Sequence, residues 1–433
     1  MDSLGDFPSD IYFEILTRTP LETLETCRLV SMQWNGMTYH SSFLKSLHQR
    51  TKTLSGFFIN NDKFSTTVSP NIPAESSDLS LGFIPNRTRS RLKIEAVANQ
   101  GLVLVQKEVY GMKNYSQFYV CKPSTKEWHQ IPNPKTKYFT QKISMVVLGS
   151  KPLQYYKIVR LSEPKHRVIK HEGEWYCVLH CEIFDSTSWV WKRLEDVRFP
   201  FCSGLVYNPV VLACGTRFHW LRSDNQVFVF DVEKEDWTVF GLPNLACLEN
   251  NKKLVQYEGR VGLVYKESES QCMELWVVEE YYYPFKKKSK QVSWNKKQRI
   301  VLSDEALNKF HPTFLPCAFY SSDVVVIQSF YDIVFYNFVS DQMVKIKIPG
   351  DWCSRDVVHY QTDFEANLEL FKATARICGS DDQLNDNLLS EAGDGRQCRR
   401  TRSIAPVFWW RNPTFLFLII VMFVFTLLCH VCL

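Results

Sequence analysis

Five residues with metal-binding or nucleophilic side chains crowd into "HRVIKHEGEWYCVLHCEIFD" (166–185), namely His166, His171, Cys177, His180 and Cys181. Thiolate and imidazole are the usual ligands of tetrahedral zinc, which needs four groups converging, commonly in pairs with short spacers. The stretch reads as a strand, along which side chains alternate faces. Cys177 and Cys181 then share an apolar row with Leu179 and Ile183, while His180 and Glu182 point the other way. That disperses the ligands, and the cysteines are expected to be small apolar core residues. "CHVC" (429–432) has CxxC spacing but no second pair, and its cysteines are out of register for a prenylation box. No GxGxxG, Walker loop, HExxH or GxSxG occurs. The sequence therefore predicts no catalytic residue, no metal and no cofactor, and a protein that works by binding.

A basic run, "PFKKKSKQVSWNKKQR" (284–299), carries Lys286, Lys287, Lys288, Lys290, Lys296, Lys297 and Arg299 without an acid. A nuclear import signal or an anion-binding patch fits such a run. So does a solvated loop between two strands. A net charge of +5 over 433 residues does not support general nucleic-acid binding. A hydrophobic fraction of 45% with 14% aromatics suits globular domains with a large core. Asp2, Asp6, Asp10 and Glu14 break up the first 30 residues, so no cleavable secretory signal is expected. The 14 cysteines should accordingly be reduced, and the sequons at Asn86 and Asn114 unglycosylated.

The elements that would carry a binding surface are of two kinds. From residue 54 to 378 the periodicity is that of strands, and one pattern recurs in "FYVCKPSTKEWHQIP" (118–132), "EIFDSTSWVWKRL" (182–194), "VFVFDVEKEDWTVFGLP" (227–243) and "VFYNFVSDQMVKIKIP" (334–349). The end of each first strand and the large residue that follows keep a separation of seven: Cys121 to Trp128, Phe184 to Trp191, Phe230 to Trp237, Tyr336 to Met343. A hairpin with a short polar turn explains that spacing. With Trp294 as a fifth mark the intervals run from about 46 to 63 residues, bracketing the roughly 50-residue kelch period in which each unit is one four-stranded propeller blade. A propeller of six to eight blades is expected.

The N-terminal region is helical. In "FPSDIYFEILTRTP" (7–20) Asp10 can cap a first turn after Pro8, Ile11, Ile15 and Leu16 gather on one face, and Pro20 stops the helix. Leu21, Leu24, Val30, Trp34 and Met37 continue the helical pattern to about residue 50. A unit of roughly 45 residues buries too little apolar surface to be stable alone, so it should pack on a partner.

"FPSDIYFEILTRTPLETLETCRLVSMQWNGM" (7–37) resembles the F-box, whose pattern is matched at Phe7, Pro8, Asp10, Ile11, Glu14, Ile15, Leu16, Pro20, Leu24, Val30 and Trp34. Phe7 holds the position of a leucine, and Thr19 and Ser31-Met32 depart from the pattern. The resemblance implies a three-helix unit docked on a Skp-type adaptor, and through it a cullin, with Phe7, Pro8, Ile11, Ile15, Leu16, Pro20, Leu24, Val30 and Trp34 at the contact. "SGFF" (55–58), "NQGLVLV" (99–105), "GRVGLVY" (259–265) and "MELWVVEEY" (273–281), with the tryptophan hairpins, resemble the F-box-associated domain of plant-type F-box proteins. That implies a non-catalytic subunit of a ubiquitin ligase whose propeller recruits a protein substrate it does not name. A propeller binding module without ligase activity, tethered to a membrane, is the alternative.

The tethering rests on the last segment. Residues 379–412 are polar and read as a flexible linker; 414–433 is an apolar run without Asp, Glu, Lys or Arg, about long enough for the roughly 30 Å hydrocarbon core. Trp409, Trp410 and Arg411 would anchor it at the interface, with Ile420 and Val424 near the bilayer centre. The whole is expected as α plus all-β: a small three-helix F-box (1–50), a kelch-like β-propeller (54–378), the linker, and a single C-terminal transmembrane helix (413–433) in contact with membrane lipid. Both domains would face the cytosol, with cytoplasm and nucleus as the alternative localisation.

Overall fold

The computed structural model of the chain describes residues 8–51, 53–60, 65–68, 81–85, 90–98, 101–109, 116–123, 125–149, 155–201, 203–206, 211–213, 216–243, 252–267, 272–281, 292–303, 314–328, 332–347 and 356–363. Proline sets where the helices begin. Pro8 and Pro20, with φ of −52° and −56°, are the N-cap residues of α1 (Ser9–Leu16) and α2 (Leu21–Arg28), where the ring holds the approach to the helix and no N–H is needed. Asp10, expected as a cap, lies inside the first turn of α1, its charge near the positive end of the helix. The N-cap of α3 (Met32–Thr38) is Ser31, whose hydroxyl accepts from the Trp34 amide at 3.1 Å. With α4 (Ser41–Thr51) the helical unit has four short helices, one more than the three expected.

Further along the described chain the regular elements are strands. The strands β1 (Thr53–Asn60) and β2 (Ser65–Val68) precede a first blade of β3 (Ser90–Val97), β4 (Val103–Val109), β5 (Ser116–Lys122) and β6 (Glu127–Ile131). The second blade holds β7 (Phe139–Gly149), β8 (Tyr155–Glu163), β9 (Val168–His171), β10 (Glu174–Asp185), β11 (Val190–Arg193) and β12 (Val197–Pro200). In it β10 is long enough to pair with β8 and β11 along one half and with β9 and β12 along the other. Four-stranded meanders follow: β13 (Val211–Ala213) to β14 (Arg217–Leu221), β15 (Gln226–Asp231) and β16 (Asp236–Gly241); then β17 (Lys252–Tyr257), β18 (Arg260–Lys266), β19 (Cys272–Tyr281) and β20 (Val292–Val301). The fifth blade is β21 (Leu315–Phe319), β22 (Val324–Gln328), β23 (Asp332–Asn337) and β24 (Gln342–Lys347). Finally β25 (Asp356–Asp363) returns to pair with β1 over its whole length.

The seven-residue spacing is a register. Cys121 faces Trp128, Phe184 faces Trp191, Phe230 faces Trp237 and Tyr336 faces Met343 across the last hairpin of four blades. Two residues before each large residue the backbone is left-handed, at Lys126, Trp189, Glu235 and Asp341, with φ of 58°, 57°, 53° and 56°. That conformation lets a short loop join two right-twisted strands. Asp185, Asp231 and Asn337 close three of these turns by accepting from backbone amides two to three residues ahead. The tryptophans also tie blades together: Trp191 Nε1 donates to Pro132 O at 2.7 Å and Trp294 Nε1 to Gly241 O at 2.9 Å, each reaching the end of the preceding blade.

Neighbouring sheets share cores all the way round. The side chains of β1 alternate between two of them, Phe57 and Ile59 joining the fifth blade while Phe58 joins the first. Among the described residues the architecture is a mainly-β propeller of five full blades, fewer than the six to eight expected, with the three-stranded sheet β2-β1-β25 between the fifth and the first. Among the described residues Cys27, Cys121, Cys177, Cys181, Cys272 and Cys317 are free thiols. Burial pushes Cys181 up to about 12 and Cys317 up to about 11, so both are inert thiols at neutral pH.

The membrane assignment is corrected. No helix among the described residues is long and apolar enough to cross a membrane. The linker, the apolar run and its expected anchors Trp409, Trp410, Arg411, Ile420 and Val424 lie outside the described residues. A tail-anchored, lipid-contacting protein is therefore not carried further.

Candidate partner-docking face

The helical unit has already found one partner, in its own chain. Leu16 and Leu24 are 1% and 0% exposed and share a core with Phe43, Leu44 and Leu47 of α4, Phe57 and Ile59 of β1, and Tyr320, Val324, Ile333 and Phe335 of the fifth blade. Phe13, Cys27, Trp34 and Met37 pack against the same core. At roughly 1.5 to 3 kcal/mol for each fully buried large side chain, this face supplies what an isolated unit of that size lacks.

The other face is bare. Ile11 and Ile15, one turn apart on α1, are 40% and 46% exposed, and Leu29, Val30 and Met32 at the turn between α2 and α3 are 87%, 65% and 80% exposed. Tyr12 and Trp34 hold α1 beside α3 with ring centroids 5.4 Å apart, and Gln33 donates to Ser9 Oγ at 3.4 Å. Of the sequence-predicted contact residues, Ile11, Ile15 and Val30 are exposed, as are Pro8 and Pro20; Trp34 is half-buried, and Leu16 and Leu24 are taken up inside the chain. Phe7 lies outside the described residues. Leu29 and Met32 were not singled out from the sequence, which took Val30 alone from "RLVSM" (28–32) as part of a continuing helical pattern.

Polar contacts lock the unit to the propeller. The Asp323 carboxylate accepts from the Ser41 amide at 3.0 Å, the Ser41 hydroxyl at 2.5 Å, the Ser321 hydroxyl at 2.8 Å and Asn337 Nδ2 at 3.0 Å. It caps α4 from the fifth blade, with its charge at the positive end of that helix. Burial opposes its ionisation, but the hydrogen bonds from Ser41 and Ser321 outweigh burial and hold the carboxyl below its ordinary value. Nearby, Ser322 N donates to Tyr39 O at 2.8 Å, Asn35 Nδ2 to Glu258 O at 3.3 Å, and Tyr257 Oη to Ser322 O at 2.9 Å. Tyr39 lies so close to Gly259, at φ +73°, that an added Cβ would sit 2.9 Å from its hydroxyl. Within the unit, Arg18 and Arg50 both donate to Glu14, at 2.6 and 2.8 Å, joining α1 to α4 at the surface.

Asp323→Ala is expected to cost roughly 2 kcal/mol, because it leaves buried donors facing no acceptor. Urea unfolding followed by tryptophan fluorescence measures it. A midpoint unchanged from wild type would show that the carboxylate does not hold the junction.

The remaining candidates do not assemble into a site. Cys181 is buried with Leu179 and Ile183, while His180 Nδ1 lies 2.6 Å from Asp196 and its ring stacks on Tyr138. His166 and His171 are exposed. No group of three or more potential metal ligands occurs among the described residues. In the basic run Lys296, Lys297 and Arg299 stand on β20 and meet Glu274, Glu258 (4.0 Å) and Glu267 (2.9 Å) respectively. Residues 286–290 lie outside the described residues.

Comparison with known proteins bears on the propeller. The family described as F-box associated beta propeller domain matches residues 49–364. An F-box protein of Arabidopsis thaliana is 31% identical over 167 residues, covering 37% of this chain and 88% of the relative. A second F-box protein of that plant is 26% identical over 293 residues, covering 64% and 76%. Among solved structures, the β-propeller domain of Cps50 (Swd1) from Myceliophteria thermophila is 9% identical with a TM-score of 0.29, covering 61% of this chain and 88% of that one.

Proposed function

Since this chain belongs to the F-box associated beta propeller domain family, we propose that it is the target-binding subunit of a Skp, cullin and F-box ubiquitin ligase. The observation that carries the reading is that the helical unit has two sets of apolar side chains. One is buried on the propeller; the other, with Ile11, Ile15, Leu29, Val30 and Met32, is left open to water at the surface. Burying that second face on a Skp-type adaptor removes an apolar patch from water and links the propeller to the cullin. Pro8, Pro20 and Trp34 flank it, and Phe7 belongs to the same contact in the F-box pattern. Ser31 and Thr19, where the sequence departs from that pattern, have local tasks: Ser31 caps α3, and the Thr19 hydroxyl donates to Ile15 O at 2.9 Å.

The chemistry under this reading belongs to the partners. This chain contributes proximity, holding a bound target's lysine at high effective concentration near the charged conjugating enzyme. Ile11→Asp with Ile15→Asp is expected to weaken co-purification with a Skp-type adaptor by roughly tenfold or more, since each change places a carboxylate in a desolvated contact. Both side chains are exposed, so the propeller should keep its thermal midpoint. Equal retention of the adaptor by wild type and variant would refute this use of the face.

A further inference from the structure

The second blade differs from the others by an extension in which β9 and β12 flank the first half of β10. On one face of this three-stranded piece, Lys170 pairs with Trp175, and Phe201 follows on the other side, its amide donating to Trp175 O at 2.9 Å. Trp175 and Phe201 are each 54% exposed, and Lys170 Nζ lies 5.8 Å from the centre of the Trp175 ring. The next row inward is Val168, Cys177 and Phe199, the last buried in the blade core. Glu174 belongs to the opposite face, where it accepts from Tyr176 Oη.

The backbone of β9 is poised in the same sense. Arg167 O accepts from Val178 N at 2.7 Å, so Arg167, Ile169 and His171 spend their main-chain groups on β10. By the alternation of an antiparallel ladder, Val168 and Lys170 turn theirs to the far edge. No described strand pairs with that edge. In "EPKHRVIKHE" (163–172) Arg167 pairs with Glu163 at 3.7 Å, which leaves Lys165 and the outward-edge Lys170 as the cations that meet an incoming strand. A second copy of this chain would bring like charges together there, whereas an acidic strand would be drawn in.

We propose that β9 is a recruitment edge, which takes up an extended acidic segment of a target protein as an added strand. An acidic side chain sits opposite Lys170, beside Trp175, and an apolar one two residues away opposite Val168. Main-chain hydrogen bonds supply affinity, and the two side-chain positions supply selectivity. This rests on the reading that the propeller recruits a target, and it names the kind of segment recruited.

The test uses the full chain and labelled synthetic peptides of alternating threonine and valine, about eight residues long, with one glutamate two positions from a valine, followed by fluorescence anisotropy. The expected result is binding that is roughly tenfold weaker when the glutamate is replaced by lysine, with the preference reversed by Lys170→Glu. Val168→Pro should abolish binding while leaving the β9-β10 ladder intact, because it removes an outward donor. Should that variant unfold, a peptide N-methylated on its edge-facing amides replaces it and is expected not to bind. Equal affinity for both peptides, no binding by the glutamate peptide, or binding that survives N-methylation overturns the proposal. So does a concentration-dependent dimer of the wild type that Lys170→Glu alters, which would give the edge to a second copy. Adaptor co-purification is independent of all these readouts, since the helical face is not involved, so failure here leaves the adaptor reading standing.

Discussion

Arg160→Ala is expected to destabilise the protein by about 3 to 5 kcal/mol, the cost of leaving a buried charge without its partner. Arg160 and Glu182 face each other across β8 and β10, with side chains 3% and 2% exposed and 2.5 Å between Nη1 and Oε2. The guanidinium also donates to Thr140 Oγ1 at 2.8 Å, Thr136 Oγ1 at 2.9 Å and Tyr138 O at 2.5 Å, and Thr136 Oγ1 donates on to Glu182 at 2.7 Å. One ion pair thus pins the chain between the first and second blades. Burial opposes the charge and draws Arg160 below its ordinary value, but Glu182 beside it keeps the guanidinium ionised. Removing both members, as Arg160→Met with Glu182→Leu, should cost much less than either single change, since no orphan charge remains. Guanidinium denaturation of the two single variants and the double variant measures this as a coupling energy. Additive losses would mean that the pair acts as two independent surface groups.

The second large effect is acid sensitivity. His219 on β14 is fully buried, with Nδ1 3.1 Å from Val211 O on β13, the geometry of a neutral ring donating a hydrogen bond. Burial pushes its pKa down to about 4, against a partly offsetting pull from the Val211 carbonyl. Above about pH 6.5 the ring is neutral in folded and unfolded chains alike, and it contributes no pH dependence. Between there and about pH 4 the unfolded chain takes up a proton that the folded chain refuses. Stability therefore falls with pH, by about 3 kcal/mol across the window. Burial likewise pushes His129, hydrogen-bonded to Tyr156 Oη at 2.7 Å, down to about 4, in the same direction. His219→Gln should be less stable than wild type at neutral pH yet lose less on going to about pH 4.5. Parallel pH profiles for the two proteins would exclude His219 as the titrating group.

Much of the propeller was legible, because strand parity and turn length are local. A spacing of seven between Phe184 and Trp191 leaves little choice of register once the turn has a left-handed residue at Trp189. The long interval before Trp191 was visible too, and β9 occupies part of it. Other features had no local signal. The helix α1 is apolar on more than one side, so its sequence cannot say which residues the chain covers for itself. Leu16 went inward and Ile15 outward because the fifth blade, some 300 residues away, meets only one of them. Asp323 was invisible for the same reason, since the helix it caps begins at Ser41. Trp128, Trp191, Trp237, Trp294 and Met343 mark the five full blades one each, whereas the sheet that joins β1 to β25, from opposite ends of the β region, carries no hairpin mark.

That shared sheet has a consequence for synthesis. The strand β1 leaves the ribosome early, but β25 follows roughly 300 residues later, which at 5 to 20 residues per second is some 15 to 60 seconds. Until then Phe57 and Ile59, and the helices that pack on them, lack Tyr320, Val324 and Phe335. The nascent chain therefore carries its first 60 residues with both helical faces wet, and needs shielding for that interval. A chain truncated before the fifth blade would leave Leu16, Leu24, Phe57 and Ile59 without Tyr320, Val324 and Phe335 to cover them. Such fragments should be short-lived, because the exposed core is open to aggregation and proteolysis.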